Sequence, residues 1–382
     1  MRVGVGNLGY NRGRRVGEGR RTGNCMLLKA NWEEAQERYR LWWAGEETDR
    51  PLLHVTAPRP GAAGAEFGEW EFARNPDDAE ATIERFVRWA QGTYFGGEAY
   101  PNLWPNLGPG ILAAYLGARA RFESETVWFE TPREWDEMGE LRVEAENQWW
   151  QRTQRITQAA VDLCEGRYVV AMTDLGGVLD VLASLRGTEN LCRDLVEAPE
   201  RVDWARGRIM EAWHDCYDEL QGRIETKQSG SSSALAIWCP ERWYLLSCDF
   251  SVMISPEMFE RFVAPDIERS ARLLGHSLYH LDSPAQIRHL DILLEIEALG
   301  GIQWVPGEGN APPDSPEWMP LYKRVQASGK RLVVQGVRAK NLVAMVEALQ
   351  ARGLLLAAGC RTPEEAETLI GEVARAARGR RR

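Results

Sequence analysis

From about residue 168 onward the chain repeats one rhythm: a short apolar β-run, a loop, then a helical segment. The β-runs are Arg167–Asp174, Tyr244–Phe250, His276–Asp282, Gly301–Val305, Arg331–Gly336 and Leu354–Cys360. Their apolar stretches are continuous rather than alternating, as in strands covered by helices on both faces, and a helix after each strand returns the chain for a parallel neighbour. Pro51–Thr56 reads as an earlier strand of the same kind, and residues 100–112 supply a second, for a total of roughly eight. No switch in strand order is visible. The expectation is therefore a closed (β/α)8 TIM barrel, one domain with an N-terminal helical extension. The polar residues that end the strands (Asp174, Asp249, His280, Asp282, Glu308, Gln335 and Cys360) then fall at the carboxyl ends, the face where such barrels place their sites.

The N-terminal part is less regular. Residues 1–25 are rich in Gly and Arg and read as a disordered leader, with Met26 as the expected start of the folded domain, 26–382. Gly4-Val5-Gly6-Asn7-Leu8-Gly9 matches GxGxxG formally, but neither a full strand before it nor an apolar-periodic helix after it supports a dinucleotide fold. Asn31, with Glu34 three residues on, opens a helix through about Gly45. Further helices are expected over 77–91, 147–165 and 199–227. The aromatic and Pro-rich stretch Tyr100–Pro109 is too apolar to be idle coil and reads as a pocket wall.

Net charge of -10 argues against nucleic-acid or anionic-membrane partners. No run of 18 apolar residues indicates a membrane-spanning helix. Seven scattered cysteines, none in a CxxC pair, fit reduced thiols and a cytoplasmic setting better than a disulfide framework. A small-molecule substrate is the expected partner.

His276–Pro284 concentrates the chemistry. His280 and Asp282 are two apart, so an extended chain points both side chains to one side. Ser283-Pro284 reads as an N-cap and first helical residue. Asp174, Asp249 and Glu308 are candidate acids or bases, since carboxylates gathered at one barrel mouth raise each other's pKa. Asp180, in the next helix, is a candidate substrate contact. So are Asn102, Trp104, Trp238, Trp304 and Gln335 as pocket walls. His54, His214 and His289 stand isolated and are given no role.

The run from Asp249 to Glu295 resembles the uroporphyrinogen decarboxylase superfamily. So do Thr173–Gly177 with Leu185-Arg186-Gly187 and Pro199-Glu200, and the closing Gly359-Cys360…Pro363. The resemblance covers about residues 145–378 and implies a (β/α)8 barrel. The superfamily includes decarboxylases and zinc-dependent methylcobamide:thiol methyltransferases. The first strand here, His54-Val55-Thr56-Ala57-Pro58-Arg59, lacks the arginine pair of the Arg-Gln-Ala-Gly-Arg-type segment of true decarboxylases. This points to a substrate other than uroporphyrinogen. The methyltransferase motif of His-x-Cys and a distant Cys becomes His280-x-Asp282 with Cys360. The resemblance thus implies a zinc site of His280, Asp282 and Cys360, with a corrinoid on a partner protein as methyl donor. Two other readings stand beside it. One is a metal-free decarboxylase using Asp249 or Asp174, with His280 and Asp282 hydrogen-bonded and Cys360 a small buried residue. The other is a non-catalytic barrel for an aromatic or tetrapyrrole-like ligand.

Overall fold

The apolar runs pair in chain order. The computed structural model describes residues 26, 28–61, 66–123, 126–129 and 132–379. Its strands are β1 (Leu52–Pro58), β2 (Thr93–Gly97), β3 (Asn102–Leu103), β4 (Ala120–Phe122), β5 (Val127–Phe129), β6 (Val169–Val170), β7 (Trp243–Leu246), β8 (His276–Asp282), β9 (Gly301–Val305), β10 (Arg331–Val334) and β11 (Leu354–Gly359). A seven-stranded sheet runs β2-β1-β11-β10-β9-β8-β7. Every neighbouring pair in it is parallel except β1 with β2. The result is an α/β fold in which the last strand of the chain lies parallel to the first.

Central strands are buried on both faces, with Leu278, Tyr279, Leu281, Ile302, Leu332, Val334, Leu354 and Leu356 all inaccessible. Burying such side chains fully stabilises by about 1.5–3 kcal/mol each, which explains why the runs are apolar without alternation.

The ladders do not close into an eight-stranded barrel among the described residues. Two local features account for this. β2, which the sequence did not announce, takes the open edge of β1 antiparallel, and Gly97 lets the backbones approach. A Cβ there would lie 2.3 Å from the Leu53 carbonyl oxygen, and its φ of 62° suits glycine. On the other side, β3 and β6 pair only with each other. Beyond β6 the Met172 N–H bonds to the Ser232 carbonyl, in a segment fastened by a Ser231–Cys239 bridge. The apolar stretch Ala234–Trp238 is thus not a strand.

Helix ends follow local chemistry. The Asn147 side chain accepts from the Trp149 and Trp150 N–H groups and starts helix Gln148–Asp162. Ser255 caps Pro256–Phe262, and Pro265 divides it from Ala264–Leu274. The leader and its glycine motif lie outside the described residues. Among the described residues no helix is long and apolar enough to cross a membrane.

Helix Trp32–Ala44 closes the amino-terminal end of the sheet. Trp32, Tyr39, Trp42 and Trp43 pack with Trp238, Trp243, Leu52, Val333 and Leu355 in a cluster separate from the main core. The Arg331 guanidinium lies 5.5 and 5.4 Å from the ring centres of Trp42 and Trp43, and its Nε donates to the Trp42 carbonyl. Trp238 therefore belongs to this plug, its Nε1 donating to the Ser229 carbonyl, and does not line the large cavity at the other end of the sheet.

Glu98 ties this end together. It is buried, takes two hydrogen bonds from Arg50 at 2.8 and 2.7 Å, and accepts the Leu53 N–H at the start of β1. Burial alone would raise its pKa, but Arg50 and the other donors outweigh it and hold the carboxyl below its ordinary value. Glu98→Ala, which strands the buried Arg50 charge, should lower the unfolding free energy by about 3–5 kcal/mol in urea titrations. Because the folded pKa is depressed, the contribution of Glu98 is present above the unfolded carboxylate pKa of about 4.3. It should be lost as pH falls through the lower folded value, so the difference between wild type and Glu98→Ala narrows in acid.

Candidate active site

Alternation along β8 places Tyr279 and Leu281 in the core and sends His280 and Asp282 to the other side. The register pairs His280 with Gln303 on β9. Gln303 is buried, and its Oε1 accepts a hydrogen bond from His280 Nδ1. An amide oxygen can only accept, so Nδ1 is the donor in this pair and Nε2 is the ring nitrogen it leaves free. Asp249 arrives differently: it begins the 3-10 turn Asp249–Met253, three residues past the end of β7. One ligand atom from each of Asp249, His280 and Asp282 lies within 4.8 Å of the others.

Asp174 and Asp180 complete an acidic wall. Asp174 Oδ1 accepts the Gly176 N–H at 2.8 Å and faces the Tyr244 hydroxyl at 3.4 Å. Asp180, in the first turn of helix Val178–Arg186, accepts the Phe250 N–H at 2.7 Å and so fixes the turn that carries Asp249. Gly177 permits this packing: a Cβ there would meet the Ser247 carbonyl oxygen at 2.2 Å and Asp180 Oδ2 at 2.4 Å. Burial, reinforced by the Asp249 charge, raises Asp180 to about 7. Burial likewise raises Asp174 against the Gly176 hydrogen bond, with Asp249 adding to it. Asp282 is pushed up by burial and by Asp249, with His280 opposing. These groups, apart from Asp282, line a cavity of about 810 Å³ that also touches Trp104, Tyr244 and Gln335.

The sequence-derived candidates separate into groups. Asp174, Asp180, Asp249 and His280 share the cavity, and Trp104 and Gln335 wall it. Asn102 lines an adjoining space. Trp304 does not reach the cavity: it is one residue from Gln303 and so points to the opposite face, 5.1 Å from the Trp318 ring. Glu308 is exposed in the loop after β9. Cys360 does not join the cluster. Its thiol is half-buried beside the terminal helix, its pKa raised by burial and then by Glu365. The third member beside His280 and Asp282 is Asp249, because β7 is the direct neighbour of β8 whereas β11 lies three strands away. Gln303 and Tyr244 were missed. A lone polar residue inside Gly301-Ile302-Gln303-Trp304-Val305 was the available signal for the first.

The chain matches no protein-family model, and no curated protein is detectably similar to it.

A divalent cation fits the cluster by its donors, since zinc and similar ions accept imidazole and carboxylate together. Asp282 Oδ1 is shielded from solvent and makes no hydrogen bond among the described residues. An unmatched carboxylate oxygen is costly, and a cation would satisfy it.

Ser283, next in the chain, has φ 68° and ψ 155°, a conformation natural to glycine. It makes no cap, and a 3-10 turn over Pro284–His289 follows it instead of the expected α-helix. Ser283→Gly should relieve about 1–3 kcal/mol of strain against about 0.5–1 kcal/mol of added chain entropy. Denaturant unfolding should therefore show a net gain, and a loss would place the strain elsewhere.

Proposed function

We propose that this protein is a group-transfer enzyme of the uroporphyrinogen decarboxylase-like type, acting at a cation held by Asp249, His280 and Asp282. The observation that carries the reading is the convergence of those three side chains from two strand ends, with Asp282 Oδ1 left unmatched. The chain-order parallel sheet, with β11 against β1, supports a (β/α)8 arrangement in which this is the carboxyl-terminal face. Scattered free thiols support a cytoplasmic setting.

The cation, when bound, would act as a Lewis acid toward a substrate heteroatom. Everything else falls to the chain. With Nδ1 engaged by Gln303, Nε2 is the His280 atom that would hold the cation. Asp180 takes the proton of the acceptor's heteroatom as the bond to the transferred group forms. The bond between donor and transferred group breaks, and its electron pair stays with the donor. Asp174, braced by Gly176 and Tyr244, orients the polar head of the substrate. With Cys360 outside the cluster, every donor is oxygen or imidazole. This set is harder than a thiolate site and suits an oxygen or nitrogen acceptor better than a thiol. A methyl group brought by a corrinoid partner is one donor consistent with this scheme.

A second reading rests on Asp180, which burial and Asp249 raise to about 7 and so leave partly protonated near neutrality. It is a metal-free decarboxylation in which Asp180 supplies the proton that replaces carbon dioxide.

Calorimetric titration of the full chain with Zn²⁺ and Mn²⁺ tests the first reading. One equivalent should bind. His280→Ala and Asp282→Asn should abolish binding, and Gln303→Ala should weaken it by about 10–100-fold. Cys360→Ser should leave it unchanged. Absence of saturable binding, or its loss in Cys360→Ser, would overturn the proposal and favour the metal-free route.

A further inference from the structure

Beside the acidic cavity lies a second space of about 410 Å³, and the two share Glu69, Trp104, Ala234 and Gln335 as walls. It occupies the region where the sheet is open between β1 and β3. His54 and Thr56 of β1, Ala357–Gly359 of β11 and Asn102 of β3 all face it.

Its lining differs in kind from that of the acidic cavity. Phe67, Phe86, Trp89 and Phe95 form one wall and contact each other, Phe67 edge-on to Phe86 at 5.2 Å and Trp89 edge-on to Phe95 at 5.9 Å. His54 and Asn102 in the space are already engaged with the protein, whereas Trp104 Nε1 at the junction is buried without a hydrogen-bond partner among the described residues. His54 Nε2 pairs with the Tyr39 hydroxyl at 2.6 Å. Asn102 Nδ2 donates to the Ser233 carbonyl, and its Oδ1 accepts from the Ser232 hydroxyl. The Tyr100 hydroxyl bonds to the same Ser232 oxygen. Burial lowers His54 to about 4, so it is neutral at pH 7 and brings no charge. Glu69, at the junction, is exposed to solvent. An occupant gains apolar and ring contacts here but few new hydrogen bonds, and a charged group would be desolvated without a counter-charge.

We propose that this second lobe receives a flat, neutral aromatic group, and that the substrate is an amphiphile whose polar head lies in the acidic cavity and whose aromatic tail lies in the lobe. Its volume is at the small end of ligand pockets, which span about 300–1,000 Å³, and suits one or two fused rings. Trp104 and Gln335 mark the passage between head and tail. Assignment of the head rests on the reading of the acidic cavity as the reaction site; assignment of the tail does not.

The test is titration of the full chain with 2-naphthol, followed by tryptophan fluorescence and calorimetry, alongside Mn²⁺ titration of the same samples. Wild type should bind 2-naphthol saturably with a Kd below about 1 mM. Ala357→Phe, which fills the lobe, should weaken this by about tenfold or more while leaving Mn²⁺ binding unchanged. Asp249→Asn should lose Mn²⁺ and retain 2-naphthol. Trp89→Ala, which removes part of the wall, gives a second readout with the same expected loss if Ala357→Phe does not fold. No saturable 2-naphthol binding by wild type, or undiminished binding by the folded lobe variants, overturns the proposal. Retained 2-naphthol binding without Mn²⁺ binding would leave the lobe standing and remove the cation site.

Discussion

Carboxylates repel one another, and gathering Asp174, Asp180, Asp249 and Asp282 at one end of a sheet works only if the backbone holds them. Two of them accept main-chain N–H groups, Asp174 from Gly176 and Asp180 from Phe250. The second of these bonds is also what sets the turn bearing Asp249. Gly177 is the steric condition for it, since any side chain there would collide with Ser247 and with Asp180 itself. The charge cluster is thus a property of two tight turns, after β6 and after β7, more than of the strands. What remains uncompensated, chiefly Asp282 Oδ1 and the raised carboxyls, is free energy available to a cation or a proton.

The two ends of the sheet solve opposite problems. At the amino-terminal end the helix Trp32–Ala44 supplies tryptophans, and Glu98, just past β2, is a buried carboxylate paired with Arg50. At the carboxyl-terminal end the strands stop in short loops, and the space is lined by partly paired acids on one side and by aromatic rings on the other. The antiparallel β2 links the two. It occupies the edge of β1 that a closed barrel would give to β3, and it carries Phe95 into the wall of the aromatic lobe. An interruption in the ladder and a ligand space therefore have one structural cause.

Much of this was legible in the chain, and the reasons for the rest are specific. Parallel strands from residue 243 on follow from continuous apolar runs, because burial on both faces leaves that mark on a sequence. His280 and Asp282 facing one side follows from the period of two. The same period, applied to Gly301–Val305, would have exchanged Trp304 for Gln303, but a tryptophan draws attention that a glutamine does not. β2 was hidden because Thr93-Tyr94-Phe95-Gly96-Gly97 carries two glycines, which argue against a strand interior until the close approach to Leu53 is seen. Trp238 was misplaced because aromatic residues in loops serve a plug and a pocket equally well, and sequence does not say which end of the sheet a loop occupies.

Asp249 for Cys360 is the substitution of partners with the largest chemical consequence. The resemblance to the methyltransferase motif implied Cys360 as the third ligand, and Cys360 does directly follow β11 as His280 and Asp282 end β8. A strand end fixes height along the sheet, however, and β11 is separated from β8 by β9 and β10 while β7 is its neighbour. Cys360 stays with the terminal helix and Glu365, while Asp249 is carried toward β8 by a 3-10 turn pinned to Asp180. The change replaces a polarisable sulfur by a carboxylate oxygen beside an imidazole and a second carboxylate. Such a set holds a divalent cation more ionically, leaves it a stronger Lewis acid, and loses the preference for sulfur that a thiolate ligand confers. Under the proposed group transfer, such a set favours an oxygen or nitrogen acceptor over a thiol.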